Sequence, residues 1–168
     1  MRNSLQKIIL TALFIALTVA IQMLGLHQFI TGPLVNCMLL LSALFAGPIS
    51  GILVGLVTPW IAFLRGILMA PLAPMIPFIM LGNGVYVLCF YLCRKFLRKK
   101  VLGSAVGIAT GAVVKFLILS GAVQFVVTVP EKIAKAMQFP QLLTALAGGV
   151  IAVIAARLIA RAGRKEEF

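Results

Sequence analysis

The sequence predicts an all-α integral membrane protein, a bundle of six transmembrane helices with a proline-rich loop between the third and the fourth. Three observations carry this. Of 168 residues, 62% are hydrophobic and 11% charged, more apolar surface than a soluble domain of this length can bury. The apolar residues fall into six runs, most of them near the roughly 20 residues that span a hydrocarbon core about 30 Å thick. The basic residues lie between the runs and at the chain ends, where topology determinants sit. One transmembrane domain, 1–168, takes up the whole chain.

The first span is expected over 8–26. Arg2 and Lys7 ahead of it resemble the start of a signal peptide. The run is about 19 residues long, however, and Thr18-Val19-Ala20 is a poor cleavage site. His27, Gln28, Thr31, Gly32 and Pro33 follow as polar and breaking residues. The second span covers 34–46, with a start as early as Ile30, and Gly47-Pro48 ends it. The third covers 49–64 with Pro59 inside, closed by Arg65 and Gly66. Residues 70–77 are apolar but hold three prolines. They read as an ordered loop or re-entrant segment, which at membrane depth needs protein or a cavity around it. Span four is expected over 78–93, span five over 102–127 and span six over 141–160. The stretch 128–140 between the last two reads as a surface loop or a short interfacial helix.

Six spans put both termini on one face. That face carries Arg2, Lys7, the run Arg94, Lys95, Arg98, Lys99, Lys100, and Arg157, Arg161, Arg164 and Lys165. The other carries Arg65, Lys132 and Lys135. An asymmetry of eleven to three makes the first face cytoplasmic. The basic run touches anionic lipid on this reading. A net charge of +12 does not imply nucleic acid, because no aromatic-basic surface motif accompanies it.

Most enzyme chemistry is excluded. There is no Asp, and the acids are Glu131, Glu166 and Glu167, so paired carboxylates and carboxylate-rich metal sites cannot be assembled. Cys37, Cys89 and Cys93 lie in apolar runs without zinc-type pairing and read as small buried hydrophobes. The single His27 lacks a serine-nucleophile setting. No cofactor is expected.

Several residues stand out against the apolar background. Ala12, Ala16 and Ala20 share one face of span one, where small side chains let another helix approach closely. That helix belongs either to a partner or to the chain's own bundle. Lys115 lies in the middle third of span five; a charge there costs at least a few kcal/mol unless it faces a wet cavity or a partner, although snorkelling is the competing account. Arg65 is either an ordinary outer-face residue or a guanidinium clamp for an anion. Asn36, Asn83, Gln22 and Gln124 bridge helices or line a cavity. His27 sits where span one reaches the outer surface, and Trp60 near the outer end of span three.

The whole plan resembles the substrate-binding S component of energy-coupling factor (ECF) vitamin transporters. The length, six spans, cytoplasmic ends, Ala12-x-x-x-Ala16 extended to Ala20, and the broken region around spans one to three carry the resemblance. So do Thr31-Gly-Pro-Leu-Val-Asn36, the stretch from Thr58-Pro59 to Arg65-Gly66, and that from Pro77 to Asn83. The resemblance implies a multi-pass plasma-membrane subunit that captures a vitamin-like micronutrient near the outer surface, under loops one-two, three-four and five-six. It also implies that Ala12, Ala16 and Ala20 dock on a transmembrane coupling subunit driven by two ATPase subunits. The chain has no phosphate-binding loop of its own.

With no carboxylate in the spans, a cationic ligand such as thiamin is disfavoured. Arg65 and Lys115 favour an anion, with Asn83, Gln124, Asn36 and His27 as further candidate contacts. Pantothenate, nicotinate, biotin and lipoate fit that description, while uncharged pyridoxine-like or nucleobase-like ligands stay open. The alternatives are a membrane assembly protein that binds no solute and a self-contained oligomeric secondary transporter. The latter would favour an internal repeat, and none is evident.

Overall fold

The computed structural model describes residues 4–68 and 70–162; Arg2, Arg164, Lys165, Glu166 and Glu167 lie outside them. The described residues are helical with short connections, and no strand occurs among them. The order is α1 (Ser4–Met23), α2 (Gln28–Ala46), α3 (Pro48–Leu64), a 3₁₀ helix (Ala70–Met75), α4 (Ile76–Phe96), α5 (Lys100–Gly121) with a π-helical turn (Ala122–Val126), short α6 (Glu131–Ala136) and α7 (Phe139–Ala162). Five stretches are long and apolar enough to cross a membrane: α1, α2, Ala70–Phe96, Lys100–Val126 and Glu131–Ala162. α3, with 17 residues, reaches about 25 Å at 1.5 Å per residue. Its deficit against the hydrocarbon core is of the size that local bilayer thinning absorbs.

Two expectations about breakers need correction. Pro33 does not end anything: it lies inside α2, which starts at Gln28. The carbonyl that Pro33 deprives of a partner belongs to Phe29, four residues earlier and exposed, so water or headgroups can satisfy it. The 70–77 stretch, expected as an ordered loop or re-entrant segment apart from span four, is continuous with it. Ala70–Met75 winds as a 3₁₀ helix straight into α4, and Pro77 falls in the first turn of α4, where a missing N–H costs nothing.

α4 packs along α5 and α2 along α7, with α3 against α4, and α1 against α2 and α3. Close approach depends on glycine. On α5, Gly103, Gly107 and Gly111 form a seam against α4. A methyl carbon on Gly107 would lie 2.8 Å from Phe90 Cα, and one on Gly103 2.9 Å from Arg94 Cα. Gly148 of α7 faces the Pro33 carbonyl and Asn36 of α2 in the same way. In lipid, where apolar contact alone does not favour association, such backbone proximity is a main source of cohesion.

The main core, with Leu39, Leu40, Val54, Tyr86, Val87 and Phe90, fills the middle of the bundle. A second cluster of Leu72, Met75, Leu119, Ala122, Ile133 and Met137 ties the 3₁₀ helix and α6 to the end of α5. That cluster roofs the end of the bundle away from the termini, and the polar cavity lies beneath it.

Candidate binding cavity

Six helix ends converge on that roofed end: the last turns of α1, α3 and α5 and the first turns of α2, α4 and α7. They enclose a cavity of about 100 Å³, several times the roughly 10–15 Å³ that one water requires. Polar side chains from every crossing helix line it: Gln22, Thr31, Asn36, Thr58, Asn83, Lys115 and Gln141 among them. Val35, Pro59, Leu68, Ile79 and Met137 supply apolar wall. A few polar groups on an apolar wall is the usual make-up of a small-molecule site.

Lys115 is the centre of its electrostatics. It is 3% exposed. Its stem runs past Gly82, where a methyl carbon would lie 3.2 Å from Lys115 Cγ. Its Nζ donates to Asn36 Oδ1 at 2.6 Å and stands 5.8 Å from the centre of the Tyr86 ring, within cation–π range. Asn36 is held in turn, since its Nδ2 donates to the Gly32 carbonyl at 2.9 Å. Among the described residues Glu131 is the one acid, and it pairs at 2.7 Å with Lys135 on the exposed surface of α6. A buried ammonium needs hydrogen bonds and a counter-charge; the protein around Lys115 supplies one carbonyl oxygen and one ring face.

Asn83 has a structural task as well. Pro59 has no N–H, which leaves the Gly55 carbonyl of α3 without its helical partner. Asn83 Nδ2 of α4 donates to that carbonyl at 3.1 Å. Thr58 donates to Val54 within its own helix at 2.7 Å. The buried Oε1 of Gln22 has no hydrogen-bond partner among the described residues, and Gln22 lines the cavity.

The structure brings Asn36, Asn83 and Lys115 together and places Arg65, Gln124 and His27 elsewhere. Arg65 is exposed beside Met23, Leu64 and Ile67 in a separate open hollow. Gln124 points out of the bundle from the π-helical turn. His27 is an exposed N-cap whose Nδ1 accepts from the Phe29 amide at 3.4 Å, and its ring stacks on Phe29. Gln28, Thr31, Thr58 and Gln141, which line the cavity, were not singled out as contacts from sequence. Their signal was position alone, at span ends that converge.

On α1, Phe14 and Thr18 face inward, while Ala12, Ala16 and Ala20 are exposed on the far side. The small-residue face is thus not spent on packing within the described bundle.

The described residues hold no cluster of His, Cys, Asp and Glu able to bind a metal ion. Neither curated proteins nor solved structures show significant similarity to the chain. The family model for the substrate-specific component of ECF transporters matches residues 6–160. The chain therefore belongs to the S components of ECF transporters, multi-pass membrane subunits that bind substrate for transport and are not enzymes.

Proposed function

We propose that this S component captures a small anionic, vitamin-like micronutrient in the cavity around Lys115. The observation that supports it is a buried ammonium whose only described hydrogen-bond partner is a neutral amide. A carboxylate solute would complete its counter-charge in a site drier than the surface, where each charge contact weighs more than in water. Arg65 stands outside the cavity, so the anion reading rests on Lys115 and not on a two-cation clamp. Asn36 then acts by aiming the ammonium, while Asn83 and Gln141 meet the rest of the solute.

On this reading the cavity end faces outward and the termini lie in the cytoplasm of a plasma-membrane protein, as the basic residues favour. An impermeant thiol reagent applied to intact cells should fail to label a cysteine introduced between 94 and 100, in a background without Cys37, Cys89 and Cys93. Labelling there would reverse the orientation. Exposed Ala12, Ala16 and Ala20 supply the face that meets the coupling subunit, itself driven by two ATPase subunits.

Native mass spectrometry of the purified chain identifies the co-purifying solute, and calorimetric titration then tests the site. Lys115→Met keeps volume and removes charge. Loss of one partner from a buried, hydrogen-bonded ion pair costs about 2–5 kcal/mol, so affinity should fall roughly 30-fold to several thousand-fold. Unchanged affinity in a folded Lys115→Met variant would make a neutral solute the better reading.

A further inference from the structure

A second crevice lies at the opposite end of the bundle, where the termini are, between the ends of α2, α4, α5 and α7. Its volume is about 30 Å³, and it is lined by Leu44, Arg94, Lys100, Val101, Val153, Ala156 and Arg157. We infer that this crevice is a binding site for an anionic phospholipid, with Arg94, Lys100 and Arg157 gathering the headgroup phosphate and the apolar wall taking the start of an acyl chain.

The three cations come from three helices and converge on one cleft, which a topology signal alone does not demand. Arg94 is built in. It is half-buried, one Nη donates to Ser104 Oγ at 2.5 Å, and Ser104 Oγ in turn donates to the Lys100 carbonyl at 2.8 Å. Its guanidinium also lies 5.6 Å from the centre of the Phe90 ring. A guanidinium has five donors, and Ser104 takes one of them, so the fork that matches phosphate is presented already oriented. Lys100 and Arg157 are exposed beside it. Lys100 also opens α5, whose N-terminus has no side-chain cap; its free amides and positive dipole end favour an anion there.

The ligand class follows from what shares the cleft with the charge. A free phosphate needs cations only. Here Leu44, Val101 and Val153 continue the wall below them, and the neighbouring helix surfaces carry exposed apolar side chains such as Leu102 and Ile154. Charge above and hydrocarbon below is the profile of a lipid at the membrane boundary. Basic pockets between transmembrane helices are a known type of headgroup site.

The test is native mass spectrometry of the full chain released from micelles with equimolar phosphatidylglycerol and phosphatidylcholine of matched acyl chains. A preference for the anionic lipid of about fivefold per engaged basic residue is expected. Lys100→Gln with Arg157→Gln should bring it close to parity. Both side chains are exposed, and melting without added lipid should confirm that this variant folds. Arg94→Lys should lower the preference only in part, since an ammonium lacks the fork. Lys95→Gln with Arg98→Gln removes the same charge beside the cleft but outside it, and should leave the preference intact.

Parity in the unaltered chain would overturn the inference. An equal loss in the Lys95/Arg98 variant would reduce it to diffuse surface charge. Displacement of bound lipid by millimolar inorganic phosphate would assign the cleft to a free anion. Parity together with lost co-purification of a coupling subunit by the Lys100/Arg157 variant would assign it to a protein partner.

Discussion

Two helices carry the same spacing of small residues and put it to opposite use. On α1, Ala12, Ala16 and Ala20 recur every four residues and stay exposed. On α5, Gly103, Gly107 and Gly111 recur every four residues and are buried against the backbone of α4. The two stretches are almost equally apolar, yet a far smaller share of α1 than of Lys100–Val126 is buried. A spacing of four therefore identifies a face without saying whether that face is already occupied. The identity of the small residue says more. Glycine lets backbones touch and weakens a helix by about 1 kcal/mol relative to alanine, so three of them in register are tolerated where close packing offsets that cost. Alanine costs the helix nothing and leaves a smooth surface.

This contrast can be broken experimentally. The largest effect on the isolated chain is expected for Gly107→Leu. The atoms nearest the new side chain are the backbone of Phe90, which cannot swing aside. Overpacking costs about 1–3 kcal/mol and occasionally more, and here the upper end or beyond is expected, read as a large drop in melting temperature in mild detergent. Gly148→Ala should come next, within about 1–3 kcal/mol, because one methyl group meets Asn36 Cβ and the Pro33 carbonyl. Ala16→Leu should shift the melting temperature least, within about 0.5 kcal/mol as for other substitutions outside the packed core. It should nevertheless abolish co-purification with the coupling subunit while solute binding persists. If Ala16→Leu melted early, or Gly107→Leu were silent, the assignment of occupied and open faces would be reversed.

Much of the fold was legible because lipid imposes a simple rule: an apolar run near 20 residues is a helix. All six expected spans are helices, with ends displaced by a few residues. Prolines were less legible. The sequence shows that Pro33 and Pro59 remove donors but not whether the stranded carbonyls find others, as that of Gly55 does in Asn83. In the cavity, Asn36, Asn83 and Lys115 stood out because a polar group inside an apolar helix must be solvated by something. Thr58 and Gln141 did not: a threonine can satisfy itself within its own helix, as Thr58 does, and a glutamine near a span end reads as surface. That Arg65, His27 and Gln124 lie outside the cavity was not legible for a related reason. At a helix terminus, a rotation of one residue turns a side chain by about 100°, which exceeds what apolar patterning can fix.

The bond from Asn83 to Gly55 has a consequence for what the cavity can read. Its amide nitrogen stands in for the N–H that Pro59 lacks, so lending that nitrogen to a solute would reopen the backbone ladder of α3. The oxygen of Asn83 has no such duty. On the proposed reading, Asn83 can therefore only accept a hydrogen bond from a solute, while the Lys115 ammonium can only donate one. A solute engaging both would present lone pairs or negative charge to Lys115 and an N–H or O–H to Asn83. A site so built would sense the direction of a dipole as well as the sign of a charge, and a solute inserted the wrong way round would leave both groups unmatched.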